Sequence, residues 1–230
     1  MDNLGEVSYA LGIKITRNRA LQTIALSQEL YINKILKEYG IEDCKSVVTP
    51  MIQNERLTPA TAKDKISRFD YGKAVGLLNY LSTCTRPDVS FVTSALSQFL
   101  EKPTAEHVLE FKRVLRYLQG TKQEVLILGG KKLDDAIVGF CDLDFGSNFD
   151  GRSFSGYGLM YGGLITWKTK KQPTVALLTT EAELKAMTEL LQDVIWVKGL
   201  IFDFKLCPTI KVRCDNQGAI ALCQNPLYHH

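Results

Sequence analysis

A long run of apolar residues at helical spacing begins shortly after Thr180 and constrains the fold more than any other feature of the chain. Its members recur every three or four residues, which is the period of a helix face that packs on a core. They are Met187, Leu190, Leu191, Val194, Val197 and Ile201. Glu183 stands four residues before Met187, at the N-terminal edge of this face, where a carboxylate either caps the helix or meets a cation.

The composition allows a folded core and excludes several classes of protein. The 230 residues are 45% apolar, 23% charged and 9% aromatic, which fits one or two folded domains and argues against global disorder. The net charge of +3 permits contact with nucleic acid without arguing for it. Neither a membrane-spanning run nor a signal peptide is recognisable, so we expect a cytoplasmic protein without a membrane partner. The six cysteines are scattered without a CxxC pair, so we expect neither zinc ligation nor a disulfide framework.

The first part of the chain combines short strands with helices. Polar residues separate the strands, and Gly or Pro follows each helical pattern. A polar stretch over 49–65 contains proline and shows little periodicity, which predicts an extended loop. The predicted strands are 9–15 and 22–26, and the predicted helices are one capped by Ser27 and ended by Gly40, then 71–84, 89–99 and 104–118.

Near Gly129 and Gly130 the spacing changes from helical to strand-like, so we predict two domains, 1–129 and 130–230. In the second domain three or more strands precede the long helix and a further strand follows it. That order predicts an α/β fold with a mixed sheet and helices on its faces. The predicted strands around and after the change are 125–128, 136–141, 157–161, 164–167, 175–178 and 210–214.

Two aspartates follow apolar strands of the second domain. Asp142 comes directly after one strand and Asp215 after another, and ligands of open α/β sheets collect beyond strand ends. If the two strands are neighbours, these carboxylates lie on the order of 5 Å apart, and Glu183 can complete a triangle. Three carboxylates so close repel one another unless cations bind between them, and oxygen ligands favour Mg²⁺ or Mn²⁺. Two such ions suit phosphodiester cleavage.

A second interpretation needs no chemistry. Aspartate at strand ends is common in turns, and Asp215 with Asn216 can cap the helix that follows. Thr180 and Glu183 also match a capping box, in which the two side chains satisfy the free N–H groups of a helix start. The residues alone leave both interpretations open.

A small basic group follows Trp167. Such a group is usually a solvated face, but it would suit phosphate contacts if the acidic site binds nucleic acid. Its members are Lys168, Lys170 and Lys171.

Short motifs in a fixed order give the chain a resemblance along almost its whole length. It resembles the C-terminal part of the Pol polyprotein of copia-type (Ty1/copia) long-terminal-repeat retrotransposons. In the first domain the motifs are LGI at 11–13, TPM at 49–51, GLLNYL at 76–81, TRPDV at 85–89 and KRVLRYLQGT at 112–121. In the second they are DLDF at 142–145, SFSGY at 153–157, WKTKKQ at 167–172, TEAEL at 180–184 and DNQGA at 215–219.

The resemblance implies that 1–129 is the mostly helical connection segment at the end of a reverse transcriptase, and that 130–230 is a ribonuclease H-like domain. Such a domain hydrolyses the RNA strand of an RNA/DNA hybrid with two Mg²⁺ (or Mn²⁺) ions. The catalytic and metal-binding residues carried over are Asp142, Glu183 and Asp215. The implied partners are the RNA/DNA hybrid and the polymerase portion of Pol. The implied location is the cytoplasm, and for the family also virus-like particles and the nucleus.

Departures from the family pattern lead to an alternative. The polymerase motif YVDD would lie before Met1, so we expect no DNA synthesis, and the chain stops where the family continues to a late acidic position. Phe145 stands for the usual Trp and Leu184 for the usual Tyr. The alternative is therefore a catalytically inactive remnant that keeps the fold and binds nucleic acid weakly. A third hypothesis is a structural connector that binds no Mg²⁺.

Overall fold

The computed structural model describes residues 5–52, 56–130, 136–144, 148–176, 178–205 and 209–225. These residues form two compact units, Met1–Lys131 and Lys132–His230. Each unit has its own sheet and its own apolar core. Phe145 lies outside the described residues. Within the described part of the chain, none of the helices is both long and apolar enough to cross a membrane.

The first unit contains an antiparallel four-stranded sheet in the order β1-β2-β3-β4. The strand predicted over 9–15 is in fact two strands, because Leu11 and Gly12 take positive φ angles of 51° and 75° and turn the chain back. Glycine adopts such an angle without steric cost, whereas leucine rarely does, which is why the apolar run hides the turn. The strands are β1 (Tyr9–Ala10), β2 (Ile13–Asn18), β3 (Thr23–Ser27) and β4 (Leu126–Gly129).

Four α-helices build the core of the first unit. The helix predicted over 71–84 has the predicted bounds, and Asp70 caps it by accepting a hydrogen bond from the Lys73 N–H at 3.2 Å. The helices are α1 (Glu29–Glu38), α2 (Tyr71–Cys84), α3 (Ser90–Ser97), which a 3₁₀ turn over Pro87–Val89 precedes, and α4 (Ala105–Thr121). Their apolar faces bury large side chains such as Leu78, Leu96 and Phe111.

Two buried polar side chains fasten loops to this core. Arg86 is 3% exposed and makes a bidentate ion pair with Asp88, at 2.9 Å and 2.6 Å, while it also donates to the backbone carbonyl of Thr121. His107 is fully buried in the first turn of α4, between the N–H of Thr104 and the carbonyl of Thr58. Both side chains are therefore structural.

The second unit contains a mixed sheet in the order β7-β6-β5-β8, in which β5 and β8 are parallel and the other pairs antiparallel. The mixed α/β sheet expected from the order of elements is confirmed. The strand predicted over 175–178 is wrong, because the described residues after Pro173 connect a strand to a helix without sheet pairing. The strands are β5 (Ala136–Asp144), β6 (Phe154–Met160), β7 (Leu164–Lys171) and β8 (Thr209–Arg213).

Helix α5 (Thr179–Asp203) packs along this sheet and α6 (Gln217–Gln224) follows β8. The apolar period predicted the buried face of α5 with one error: Leu191 is 41% exposed, whereas Leu190 beside it is fully buried. Tyr157 of β6 donates a hydrogen bond to Asp193 of α5 at 2.9 Å, which adds a polar contact at the edge of the core. The helix is therefore held against the sheet along the turns that follow Glu183.

Candidate metal centre

Parallel pairing of β5 and β8 places the two aspartates side by side. The register pairs Phe140 with Arg213, and the same dipeptide, Cys-Asp, follows each of them. Asp142 lies inside β5 and pairs with Gly156 of β6, so the expectation that the strand ends before Asp142 is wrong. Asp215 lies beyond β8, and both carboxylates are exposed to solvent.

Glu183 completes the cluster from the first turns of α5. It is 6% exposed, and oxygen atoms of Asp142, Glu183 and Asp215 all lie within 4.8 Å of one another. Its Oε2 atom is buried and has no hydrogen-bond partner among the described residues. Burial raises the pKa of the Glu183 carboxyl, and the negative charges of Asp215 and Asp142 raise it further. A buried carboxylate of this kind is stable only when it binds a proton or a cation.

The capping interpretation of Glu183 is wrong. Helix α5 begins at Thr179, and Leu178 occupies the N-cap position without a side-chain hydrogen bond. Glu183 therefore lies too far into the helix to reach its first N–H groups. At α6, by contrast, Asn216 is the cap, since its Oδ1 accepts a hydrogen bond from the Ala219 N–H at 2.9 Å. Asp215 is left out of the cap.

Gln172 fixes the start of α5 against the sheet. This side chain is 2% exposed, and its Nε2 donates to Ser155 Oγ at 2.8 Å and to the backbone carbonyl of Ala182 at 2.9 Å. Since Ala182 immediately precedes Glu183, this hydrogen bond from the Gln172 side-chain amide helps to position the Glu183 carboxylate relative to the sheet. Gln172 belongs to the WKTKKQ motif, which by itself indicates no role for this residue. The only signal was a polar residue at the end of an alternating strand.

Glu181 differs from Glu183 although both belong to the same motif. Its side chain is exposed and forms an ion pair with Lys185 one turn later, at 2.6 Å. Its charge is therefore compensated locally in solvent. The two glutamates form a natural test pair on one helix.

The three lysines at the end of β7 do not share one environment. Lys168 and Lys170 are exposed. Lys171 forms an ion pair with Asp150 at 2.6 Å and lies 4.7 Å from the centre of the Phe149 ring. Lys168 and Lys170 are the better candidates for contacting a phosphate, since Lys171 already has an anionic partner.

Two thiols lie beside the acidic cluster, which sequence reasoning missed. Cys141 and Cys214 precede the two aspartates, and their sulfur atoms lie within 4.8 Å of each other and of a Glu183 oxygen. Cys141 is 7% exposed and its thiol contacts the carbonyl of Arg213 at 3.8 Å. Burial raises the pKa of the Cys141 thiol to about 12, with further contributions from Cys214, Glu183 and Asp215. The sequence separates the two cysteines widely, and only the strand pairing reveals the pair.

Comparisons with known proteins place these features in context. No family model matches the chain. The chain is similar to a retrovirus-related Pol polyprotein from transposon TNT 1-94 of Nicotiana tabacum, with 39% identity over all of the chain and 18% of the relative. A Pol polyprotein from transposon RE1 of Arabidopsis thaliana is 35% identical over 97% of the chain and 15% of the relative. An uncharacterised mitochondrial protein of Arabidopsis thaliana is 36% identical over 85% of the chain and 80% of its own length. The chain thus spans less than a fifth of the polyproteins it matches.

Proposed function

Since the chain belongs to a family of homologues that includes the retrovirus-related Pol polyproteins of plant transposons, we propose that its second unit is a ribonuclease H-type domain. This domain hydrolyses the RNA strand of RNA/DNA hybrids. The first unit is the connection segment that follows the polymerase in a copia-type Pol polyprotein. The observation that carries the proposal is the convergence of Asp142 of β5, Glu183 of α5 and Asp215, which follows β8, to within 4.8 Å.

The donor set fits a hard divalent cation. Carboxylate oxygens are the ligands that Mg²⁺ and Mn²⁺ prefer. A divalent cation would also compensate the charge of Glu183, whose buried Oε2 atom has no hydrogen-bond partner among the described residues. Asp142, Glu183 and Asp215 would hold the ions. Two such ions, when bound, supply an activated water and stabilise the leaving oxygen of a phosphodiester.

The side chains around the cluster position Glu183 and contact the substrate. Gln172 holds Glu183 in place through the backbone of Ala182, while exposed Asp142 and Asp215 leave the outer side of the cluster open to a substrate. A hybrid duplex is recognised through its backbone shape and 2′-hydroxyls rather than its base sequence. Lys168 and Lys170 of β7 are exposed and carry the charge that phosphate contacts require.

Cleavage of a labelled RNA/DNA hybrid tests the proposal. The purified chain should cut the RNA strand in Mg²⁺ and not in a chelator. Asp142→Asn and Glu183→Gln should each lower the rate by at least about a hundredfold, comparable to the larger losses caused by changes in the second shell of metal sites. Glu181→Gln is the matched control and should cut at close to the wild-type rate, because its side chain is paired with Lys185 in solvent.

Other outcomes would reject the proposal. Cleavage that persists in Asp142→Asn would assign the activity to a contaminant. Binding of the hybrid without any metal-dependent cleavage would favour the alternative of an inactive remnant that keeps the fold. Failure to bind either hybrid or Mg²⁺ would favour a structural connector.

A further inference from the structure

We propose that Cys141, Cys214 and Glu183 form a second, sulfur-containing metal site for a soft divalent cation such as Zn²⁺. The sulfur of Cys141 in β5, the sulfur of Cys214 directly after β8 and one carboxylate oxygen from α5 lie within 4.8 Å of one another. Thiolate sulfur selects soft metals, whereas the neighbouring set of three carboxylates selects hard ones. This inference does not depend on nuclease activity.

The sheet holds the two sulfurs together. β5 and β8 are in register through Phe140 and Arg213, so Cys141 and Cys214 are the next pair along neighbouring strands. Zinc–sulfur bonds of about 2.3 Å place two tetrahedral sulfur ligands roughly 3.8 Å apart. The sulfur atoms of Cys141 and Cys214 lie within 4.8 Å of each other, close to this separation. Cys214 is partly exposed, which gives a metal ion access from solvent.

The carboxylate supplies the second observation. Only 6% of the Glu183 surface is exposed. Its Oε2 atom has no hydrogen-bond partner among the described side chains and backbone. A third ligand of this kind, with two thiolates, leaves one position of a tetrahedral zinc ion open. Buried charge is then balanced by the metal.

Sharing Glu183 couples the two metal sites. Glu183 belongs both to the group with Cys141 and Cys214 and to the group with Asp142 and Asp215. A soft ion bound on the sulfur side takes up the Glu183 carboxylate and adds positive charge beside the acidic cluster. The expected consequence is that bound Zn²⁺ weakens the binding of Mg²⁺ to the protein.

Cobalt titration of the full chain under reducing conditions tests the site. Co²⁺ bound to thiolate gives a sulfur-to-metal charge-transfer absorption that oxygen ligands do not give. The wild type should show this band, and Cys141→Ser or Cys214→Ser should weaken cobalt binding by about tenfold or more. Asp142→Asn should keep the band, which separates this site from the three-carboxylate cluster. Cys44→Ser and Cys84→Ser are the matched controls, since both are free, partly exposed thiols of the other unit.

Alkylation of the wild-type protein provides a measurement that needs no variant. Zn²⁺ should slow the modification of Cys141 and Cys214, detected by mass spectrometry, and leave Cys44 and Cys84 unchanged. A charge-transfer band that survives both serine variants, or equal protection of all four thiols, would overturn the proposal. Absence of hybrid cleavage in the presence of a normal cobalt band would reject the nuclease function alone.

Discussion

Replacing Glu183 by glutamine should stabilise the metal-free protein and remove its response to Mg²⁺. Glu183 forms two repulsive pairs, with Asp142 and with Asp215, over no more than 4.8 Å. At that distance Coulomb's law gives ~1 kcal/mol per pair at the dielectric constant of water and ~3.5 kcal/mol at an effective value of about 20. Because both aspartates are exposed, solvent screening favours the lower value. Removing both pairs should therefore raise the free energy of unfolding by about 2 kcal/mol.

Tryptophan fluorescence measures this effect in the second unit alone, since the two tryptophans of the chain, Trp167 and Trp196, both belong to it. In a chelator, Glu183→Gln should melt roughly 10 °C above the wild type. Saturating Mg²⁺ at a hundred times its dissociation constant should stabilise the wild type by about 2.7 kcal/mol and the variant by much less.

The control is Glu181→Gln on the same helix. Loss of its ion pair with Lys185 should cost at most about 0.5 kcal/mol and leave the response to Mg²⁺ intact. The reasoning fails if Glu183→Gln melts below the wild type in chelator, or if Mg²⁺ stabilises it as strongly as the wild type.

Three further predictions concern buried polar groups. Burial lowers the pKa of His107, so the wild type should lose stability as the pH falls below about 6.5. The free energy of unfolding, measured in urea by circular dichroism, should therefore be lower at about pH 5 than at about pH 7.5. His107→Gln should make this difference smaller. If the variant shows the same difference in unfolding free energy as the wild type, His107 is not the source of the pH dependence. Arg86→Ala should lower the free energy of unfolding in urea by about 3 kcal/mol, because it removes the bidentate partner of Asp88. A loss under about 1 kcal/mol would show that this ion pair contributes little to stability. Gln172→Ala should lower the free energy of unfolding of the second unit by about 1–3 kcal/mol, because the hydrogen bond to the Ala182 carbonyl is lost. An unchanged melting temperature in the fluorescence assay would show that Gln172 does not hold α5 against the sheet.

Local patterns predicted the elements well where turn residues frame a periodic run. The apolar period over 71–84, followed shortly by Pro87, predicted the bounds of α2. The same reasoning failed at Leu11, whose positive φ no apolar pattern reveals. It also failed at Thr180: a capping box there would start the helix at Glu181, but the helix starts two residues earlier, at Thr179. Spacing reports which residues can interact, whereas tertiary packing decides which do.

The candidate site was predictable only in part, for a similar reason. Strand ends indicate Asp142 and Asp215, the edge of the apolar helix face indicates Glu183, and the structure brings all three together. Their roles as metal ligands stay predictions. Sequence reasoning overlooked Cys141 and Cys214 because their contact depends on a register between distant strands.

The parallel pairing of β5 with β8 also has a kinetic consequence. We expect β5, β6 and β7 to pair first, as consecutive hairpins, because each of these contacts closes a short loop. β8 can join β5 only after the whole of α5 has been made. Until then Asp142 has no carboxylate neighbour from β8, and the nascent chain cannot assemble the cluster. Assembly of the proposed metal site should therefore depend on the long-range pairing of β5 with β8, so we expect ions in the surroundings to act on the folded protein rather than on the emerging chain.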